Sequence, residues 1–447
     1  MKAVVGKKIL LNGVVQSGYF IFDNEKITET GETLPKGFSG EIISSEDAIV
    51  LPGLVDSHVH INEPGRTEWE GFDTATHAAA AGGITTVVDM PLNCIPVTTS
   101  KKALEEKLTS INSKLWVDCG FWGGVTPDSI HDLPELLDSG VLGVKSFLID
   151  SGIDEFQMME KNHLLEAMPI IAKKNIPYLI HAEICPSNFE TNKVTHEYQS
   201  FLNSRPRSWE NSAIELMIDL SEKFNCSVHI VHLSSSDALS SLKKAKETNI
   251  PITVETCPHY LSFFSETIPN GKTLFKCCPP IREKENRESL WNGLISNDID
   301  FIVSDHSPCI PQLKCIESGD LDKAWGGISS LQFGLSIIWS EARERGVPIE
   351  KVSEWMSLAP AKFIGLGHKK GSIDVGKDAD FIIWDPNQEN IISSDQIYYK
   401  NKITPYSGIN VFGEVKKTYL RGHKVYDSKT RTFSKSALGK PLLKGLL

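Results

Sequence analysis

The sequence predicts an α/β fold in which a (β/α)8 barrel is joined to a smaller β-sandwich domain. Between about residues 50 and 370, short apolar runs typical of buried parallel strands alternate with stretches of helical periodicity. The two ends of the chain instead carry short apolar runs separated by turn residues. With 447 residues, the chain is long enough for one large barrel and one small domain.

Eight strand candidates follow one another in the central part of the chain. They are Ile49–Val55, Ile84–Met90, Leu115–Phe121, Leu142–Leu148, Tyr178–Ala182, Ser227–Leu233, Ile252–Thr256 and Phe301–Asp305. Segments with apolar residues near helical spacing lie between them: Leu104–Ile111, Leu164–Lys174, Ala213–Phe224 and Ala238–Glu247. Eight such units favour a barrel. An open doubly wound sheet is the alternative, but no Gly-x-Gly-x-x-Gly follows the first strand.

The two ends of the chain share one sequence pattern, in which short apolar runs alternate with turn residues. In residues 1–50, Asn12-Gly13 stands between apolar runs, which indicates a hairpin. After the predicted helix Ile349–Phe363, glycines and short strands return in Gly371–Trp384. We therefore expect residues 1–50 and 370–447 to form one composite β-sandwich domain, and residues 51–369 to form the barrel.

Composition excludes several classes of function. The net charge of −11 argues against nucleic acid as a partner, and no basic amphipathic segment indicates a membrane surface. The nine cysteines are odd in number and contain no Cys-x-x-Cys pair, as expected of reduced thiols in a cytoplasmic or other intracellular protein. The N-terminal apolar runs are broken by Lys7, Lys8 and Asn12, so we expect neither a signal peptide nor a transmembrane segment.

A His-x-His pair follows the first apolar run. Side chains alternate between the two faces of a strand, so His58 and His60 point the same way and could bind one metal ion. By itself the pattern is weak, because a chain with 13 histidines can contain such a pair by chance. A pair of polar residues at a strand end is the alternative.

Later strands end in further residues of ligand type. The fourth strand carries Lys145, the fifth ends in His181, the sixth in His232 and the eighth in Asp305. Each has an ordinary explanation: a hydrogen-bonded histidine, a lysine at a strand terminus or a helix N-cap aspartate. Together with the His-x-His pair, they predict a reactive centre, because barrel enzymes place their chemistry at the carboxyl ends of the strands.

The arrangement resembles the cyclic-amide branch of the amidohydrolase superfamily over essentially the whole chain. Within that branch, it is most similar to the allantoinases. The similarity rests on His60–Gly71, Asp89–Asn93, Gly143–Phe147 and Thr256–Leu261. It implies a hydrolase of purine catabolism that opens the ring of allantoin, a small molecule, to give allantoate. It also implies a homo-oligomer, a tetramer in this family.

The resemblance further implies a centre of two divalent metal ions, usually zinc. His58, His60 and Asp305 would bind one ion, and His181 and His232 the other. Lys145, carboxylated by CO2 to a carbamate, would bridge them as an anionic ligand with two oxygens. Asp305 would be catalytic, first as general base and then as general acid.

Five residues are candidate substrate contacts. By similarity to relatives, Asn93, Cys278, Ser307 and Gly327 would lie near the substrate, the last three through backbone groups. Asn62 stands where dihydroorotases typically have an arginine for the substrate carboxylate, so it favours a neutral ureido group. Asn62 could instead brace its loop through an Asx turn.

Rival functions within the superfamily are hydantoinase or dihydropyrimidinase, and dihydroorotase. The first group carries a tyrosine a few residues after the carboxylated lysine, and residues 146–150 contain none. A metal-free scaffolding paralogue is the rival from another class, and the six ligand positions argue against it. Among the other histidines, we expect His229 and His77 to be structural and His259 to be structural or to support a ligand.

Overall fold

The computed structural model describes residues 1–187 and 193–445. In chain order, the strands are β1 Lys2–Leu11, β2 Val14–Asp23, β3 Lys26–Gly31, β4 Glu41–Ser44, β5 Ile49–Pro52, β6 Leu54–Val59, β7 Ile84–Asp89, β8 Asp118–Phe121, β9 Gly123–Gly124, β10 Val144–Phe147, β11 Tyr178–His181, β12 Val228–Ile230, β13 Ile252–Thr256, β14 Phe301–Ile302, β15 Phe381–Ile391, β16 Asn410–Leu420, β17 His423–Asp427, β18 Thr432–Phe433 and β19 Pro441–Leu442.

Helices surround the central strands. The α-helices are α1 Phe72–Ala81, α2 Lys101–Ser110, α3 Leu133–Asp138, α4 Lys161–Ala172, α5 Tyr198–Ser204, α6 Arg207–Phe224, α7 Leu239–Glu247, α8 Pro258–Ser262, α9 Lys284–Ile295, α10 Gly334–Glu344, α11 Ile349–Ser353 and α12 Ala359–Phe363. Short 3₁₀ segments lie at Pro127–Asp132, Ser236–Ala238, Ser265–Thr267, Thr273–Phe275, Leu331–Phe333 and Ser394–Gln396, and a π-helical turn at Glu354–Leu358.

The strands from β6 to β14 form the predicted barrel. All their pairings are parallel, in the orders β6-β7-β8 and β9-β10-β11-β12-β13-β14. Strands β8 and β9 flank Trp122 and together make the third barrel strand. The ring closes where Val59 pairs with His306 and the His60 amide donates to the His306 carbonyl at 2.8 Å. This closure brings the carboxyl ends of β6 and β14 together.

Sequence periodicity explains how the helices pack on the barrel. Helix α6 buries Ala213, Ile214, Met217 and Leu220, which lie along one face at helical spacing. It ends at Asn225, whose φ of 48° is the left-handed conformation that asparagine tolerates better than most residues. The chain then reverses into β12, so this turn sets the direction in which the sixth barrel strand enters.

The ends of the chain meet in one nine-stranded sheet, which forms the β-sandwich part of the fold. Its main order is β18-β17-β16-β15-β5-β1-β2-β3, with β4 paired to β1. The predicted hairpin at Asn12-Gly13 joins β1 and β2, with both φ angles positive. The last strand, β19, lies outside this sheet and pairs in parallel with β8 of the barrel. The domain boundaries near residues 50 and 370 stay a prediction.

The first predicted barrel strand, Ile49–Val55, is wrong as a single element. The apolar run breaks at Gly53: β5 pairs with β15 in the sheet, and β6 pairs with β7 in the barrel. A Cβ atom on residue 53 would lie 2.3 Å from the Thr85 hydroxyl oxygen, so only glycine fits this crossing. The Gly53 amide donates to the Asp380 carbonyl at 2.9 Å, and this hydrogen bond fixes the chain where it passes from the sheet to the barrel.

Within the described ranges, no helix is long and apolar enough to cross a bilayer. All nine cysteines are free thiols.

Candidate metal centre

Six side chains that the sequence places at strand ends converge on the floor of one cavity of about 800 Å³. They are His58, His60, Lys145, His181, His232 and Asp305. Five of them line the cavity, and the sixth, His58, is fully buried beneath it. We call these six residues the strand-end cluster.

The cluster contains two groups of nitrogen and oxygen donors. In the first, Asp305 Oδ1 lies 3.1 Å from His58 Nε2 and 3.6 Å from His60 Nε2. In the second, His181 Nδ1 lies 3.0 Å from His232 Nε2. Lys145 Nζ lies 3.2 Å from His58 Nε2. Imidazole nitrogen and carboxylate oxygen are the ligands that suit zinc and similar divalent ions, so the donor set fits such ions.

Two residues of the cluster have an unusual backbone conformation. His232 and Asp305 have φ angles of 41° and 44°, a left-handed region that few residues other than glycine adopt. Asp56 fixes the backbone near Asp305, because its carboxylate accepts from the Ser304 amide at 3.1 Å and from the His58 amide at 3.1 Å. Strained backbone that the surroundings hold in place is typical of functional sites.

Burial and neighbouring charges shift the pKa values of several groups in the cluster. It lowers the pKa of Lys145 to about 8, so roughly a tenth of this amine is neutral at pH 7. The neutral amine is the form that can react with CO2. Burial also lowers the pKa of His60 to about 3, which keeps its imidazole neutral. Burial alone would raise the pKa of Asp305, but His58 and His60 hold it well below its usual value.

His58 is an exception among these groups. Burial and Lys145 would lower its pKa, but Asp305 and Glu255 together raise it above the usual value. An arriving cation would displace the proton of His58, because ligand nitrogens must be deprotonated to bind metal.

Three residues contact histidines of the cluster on the side away from its centre. Glu255 Oε1 lies 2.5 Å from His58 Nδ1, and Glu183 Oε2 lies 2.7 Å from His181 Nε2. The side-chain amide of Asn93 lies 3.3 Å from His60 Nδ1. Each contact engages the ring nitrogen that faces away from the centre. Neither glutamate was predicted from the sequence.

A family model described as the amidohydrolase family matches residues 49–425. The chain belongs to this family.

Relatives confirm both the predicted family and the predicted fold. A probable allantoinase 2 from Dictyostelium discoideum is 44% identical over 481 residues, covering 100% of this chain and 94% of its own. An allantoinase from Saccharomyces cerevisiae is 40% identical over 464 residues, covering 99% of each chain. The solved L-hydantoinase from Arthrobacter aurescens superimposes with a TM-score of 0.92 at 25% identity, covering 99% of each chain.

Four of the five predicted substrate contacts line the cavity of this amidohydrolase: Asn93, Cys278, Ser307 and Gly327. Asn62 is not among the described residues that line it. Asn62 is buried, and its side-chain amide donates to the Pro308 carbonyl at 3.2 Å. This location favours its role as a loop brace over a substrate contact.

His229 and His77 have the surroundings expected of structural residues, whereas His259 does not. His229 stacks on Phe301 and contacts Thr253 Oγ1 through Nδ1 at 2.8 Å. His77 stacks on Trp116 with ring centroids 4.1 Å apart. His259 is buried behind Asp305, and its ring nitrogens have no hydrogen-bond partner within the described part of the chain. Burial lowers the pKa of His259 to about 4.

Proposed function

We propose that this amidohydrolase hydrolyses the ring amide bond of allantoin to give allantoate, a step of purine catabolism. The convergence of six ligand-type side chains at the floor of one cavity carries the proposal. The two relatives named as allantoinases, each matched over nearly its whole length, support the choice of substrate. The rival activities of hydantoinase and dihydropyrimidinase belong to related members of the same family.

The proposed centre holds two divalent ions, most simply zinc. His58, His60 and Asp305 would hold one ion, and His181 and His232 the other. The lowered pKa of Lys145 supports a bridging carbamate, because the neutral amine forms a bond to CO2 carbon and releases one proton. When bound, two such ions supply a water molecule acidic enough to ionise near neutral pH and a polarised amide carbonyl.

Asp305 is the proposed proton carrier. Its carboxylate is ionised at neutral pH and lies at the cavity floor, where it can accept a proton from water. It then passes this proton to the ring nitrogen as the carbon–nitrogen bond breaks. The carbonyl carbon becomes a carboxylic acid that releases its remaining proton to solvent, the ring nitrogen keeps the proton from Asp305, and Asp305 returns to its ionised state.

Four residues are proposed to position the substrate ring: Asn93, Cys278, Ser307 and Gly327. The close packing at Gly327 supports a backbone role for it. A Cβ atom there would lie 2.4 Å from the Ser307 carbonyl oxygen, so the two backbone segments can approach only because residue 327 is glycine.

A substrate panel tests the function. Protein of measured metal content is offered allantoin, hydantoin, dihydrouracil and dihydroorotate, and ring opening is followed for each. We expect efficient opening of allantoin and essentially none of dihydroorotate. Failure on allantoin by fully metallated protein would contradict the proposal, and so would efficient opening of dihydroorotate. A protein that binds no metal and opens none of the four rings would support the scaffolding alternative.

We also expect a homo-oligomer, with the tetramer as the family precedent. Light scattering on the purified protein measures this directly. A monomer at micromolar concentration would contradict the expectation and leave the catalytic proposal intact.

A further inference from the structure

The four ligand histidines are supported unequally. Glu255 backs His58 and Glu183 backs His181, whereas an uncharged amide, that of Asn93, backs His60. Nδ1 of His232 is buried and has no hydrogen-bond partner among residues 1–187 and 193–445. A carboxylate behind a ligand histidine fixes its tautomer and makes the ligand nitrogen a stronger donor. One histidine in each donor group, His58 in the first and His181 in the second, is therefore supported by a carboxylate.

The two carboxylates differ in how far their charge is offset. Glu183 accepts two hydrogen bonds from Arg205, from Nε at 3.2 Å and from Nη2 at 2.9 Å. Glu255 forms no ion pair with a lysine or arginine in the part of the chain that the structure describes. Its other neighbours are His229, whose Nε2 lies 3.0 Å from Oε2, and the His232 amide, which donates to Oε1 at 3.4 Å.

The difference in charge between the two supporting carboxylates has the same direction as the difference in charge between the two donor groups. The first donor group contains the carboxylate of Asp305, and Glu255 lies behind it with no guanidinium or ammonium partner. The second group contains two imidazoles, and the carboxylate behind it already faces the guanidinium of Arg205. Both carboxylates are fully buried, where charges interact more strongly than in water.

We propose that Glu255 and Glu183 are positioning residues that fix His58 and His181 and make the two ion sites unequal, with the tighter site at His58, His60 and Asp305. This inference rests on the proposed two-ion centre. Arg205 then tunes the weaker site, because it offsets the charge of Glu183. Arg205 also lines the cavity, so the same guanidinium faces both the substrate space and the support of His181.

The test is a Zn²⁺ titration of chelator-stripped protein in bicarbonate buffer, read against a competing fluorescent chelator. Wild-type protein should give two distinct dissociation constants. Glu255→Gln keeps the shape of the side chain and removes its charge, so the tighter constant should rise about 10–100-fold while the weaker changes little. Glu183→Gln should change only the weaker constant, by less than about 10-fold, because Arg205 already offsets this charge.

Glu70→Gln is the matched control. Glu70 is another fully buried glutamate beside a histidine, His306, which is not a proposed ligand, with the facing atoms 3.4 Å apart. Both zinc constants should stay unchanged in this variant. Circular dichroism and thermal unfolding establish that each variant is folded.

Arg205→Met keeps the inference testable if Glu255→Gln does not fold. Removing the guanidinium frees the charge of Glu183, so the weaker constant should become several-fold tighter. A weaker or unchanged constant would overturn the inference, and so would equal shifts of both constants in Glu255→Gln. Wild-type protein that binds fewer than two ions would instead contradict the two-ion centre itself.

Discussion

Among the described residues, two separate buried clusters contain enough ligand-type side chains to hold a metal ion, and they differ in their cations; a third group, Cys257 and His259 with Asp305, shares Asp305 with the first cluster. The first is the strand-end cluster. The second, which we call the junction cluster, lies between the barrel and the nine-stranded sheet and consists of Asp118, Lys370, Asp378, Asp380 and Arg421. In its three aspartates, as in the first donor group of the strand-end cluster, the candidate ligand atoms all lie within 4.8 Å of one another. By ligand type and spacing alone, both would be candidate metal sites.

The cations already present separate the two clusters. Lys370 Nζ lies 2.8, 3.2 and 2.6 Å from the carboxylates of Asp118, Asp378 and Asp380. Arg421 pairs with Asp118 as well. The junction cluster therefore carries its own counter-ions, and a divalent ion would have to displace them. The strand-end cluster has one lysine against four imidazoles and a carboxylate.

The lysines show the same contrast. Burial would lower the pKa of Lys370, but Asp118, Asp380 and Asp378 raise it above the usual value, so this lysine stays an ammonium ion. Lys145 is equally buried and has no comparable set of carboxylates, and burial lowers its pKa to about 8. The surroundings thus make one lysine a structural cation and the other an amine that can be carboxylated.

Removing the reactive lysine should have the largest effect. In Lys145→Ala the bridging group is lost, so we expect both ions to be lost and turnover to fall at least about 100-fold. Metal analysis and allantoin turnover measure the two effects. Added short carboxylates should restore part of both. A Lys145→Ala protein that still binds two ions would show that the lysine is not the bridge.

Asp305→Asn should separate catalysis from substrate binding. An amide can still ligate weakly through its oxygen but cannot carry a proton, so kcat should fall about 10²–10⁴-fold while KM changes much less. Metal content is measured on the same sample, so that rates are compared per metallated centre. Near-normal turnover with full metal would identify another group as the base.

Lys370→Met tests the junction cluster. It leaves three buried carboxylates with two cations, Arg421 at Asp118 and the partly exposed Lys26 at Asp378, so we expect a loss of about 3–5 kcal/mol in the free energy of unfolding. Metal content and KM should stay at their wild-type values. Urea unfolding and metal analysis measure these, with Lys7→Met at an exposed ion pair as the control, expected to change stability by less than about 0.5 kcal/mol. Loss of bound metal without loss of stability would reverse the roles of the two clusters.

The smallest expected effect is on the pH dependence of the free energy of unfolding, to which Glu210 contributes. This carboxylate is buried beside Ser234, Ser235 and Arg282, and burial raises its pKa to about 7 from 4.5. Between these values the folded state binds more protons than the unfolded state. Its contribution to stability is therefore greatest below pH 4.5 and is lost as the pH rises through about 7. Glu210→Gln should flatten this dependence by on the order of 1 kcal/mol, measured as urea midpoints against pH.

Wild-type and Glu210→Gln proteins are compared at pH values on either side of this window. The same slope in both would show that another group causes it.

The sequence allowed the barrel and the ligand positions to be predicted because both follow from strand periodicity. Glu255 was not predicted although it lies in a predicted strand, because it does not stand at the strand end where histidine, lysine and aspartate indicated the site. The break at Gly53 was missed because both halves of the run are apolar.

Two features could not have been read from the sequence. Asn62 has a φ of 64°, and its side chain donates to the Pro308 carbonyl of another loop. Residue spacing along a strand does not predict this backbone conformation or this partner. The junction cluster joins residues from position 118 to 421, and their proximity depends on how the two ends of the chain dock on the barrel.

The most direct test of the two-ion centre is anomalous diffraction at the zinc edge from crystals grown with Zn²⁺ and bicarbonate. We expect two peaks, one among His58, His60 and Asp305 and one between His181 and His232, with added density continuous with Lys145 Nζ. We expect no peak at the junction cluster. Two ions beside an unmodified Lys145, or zinc at the three aspartates of the junction cluster, would contradict the distinction drawn between the two clusters.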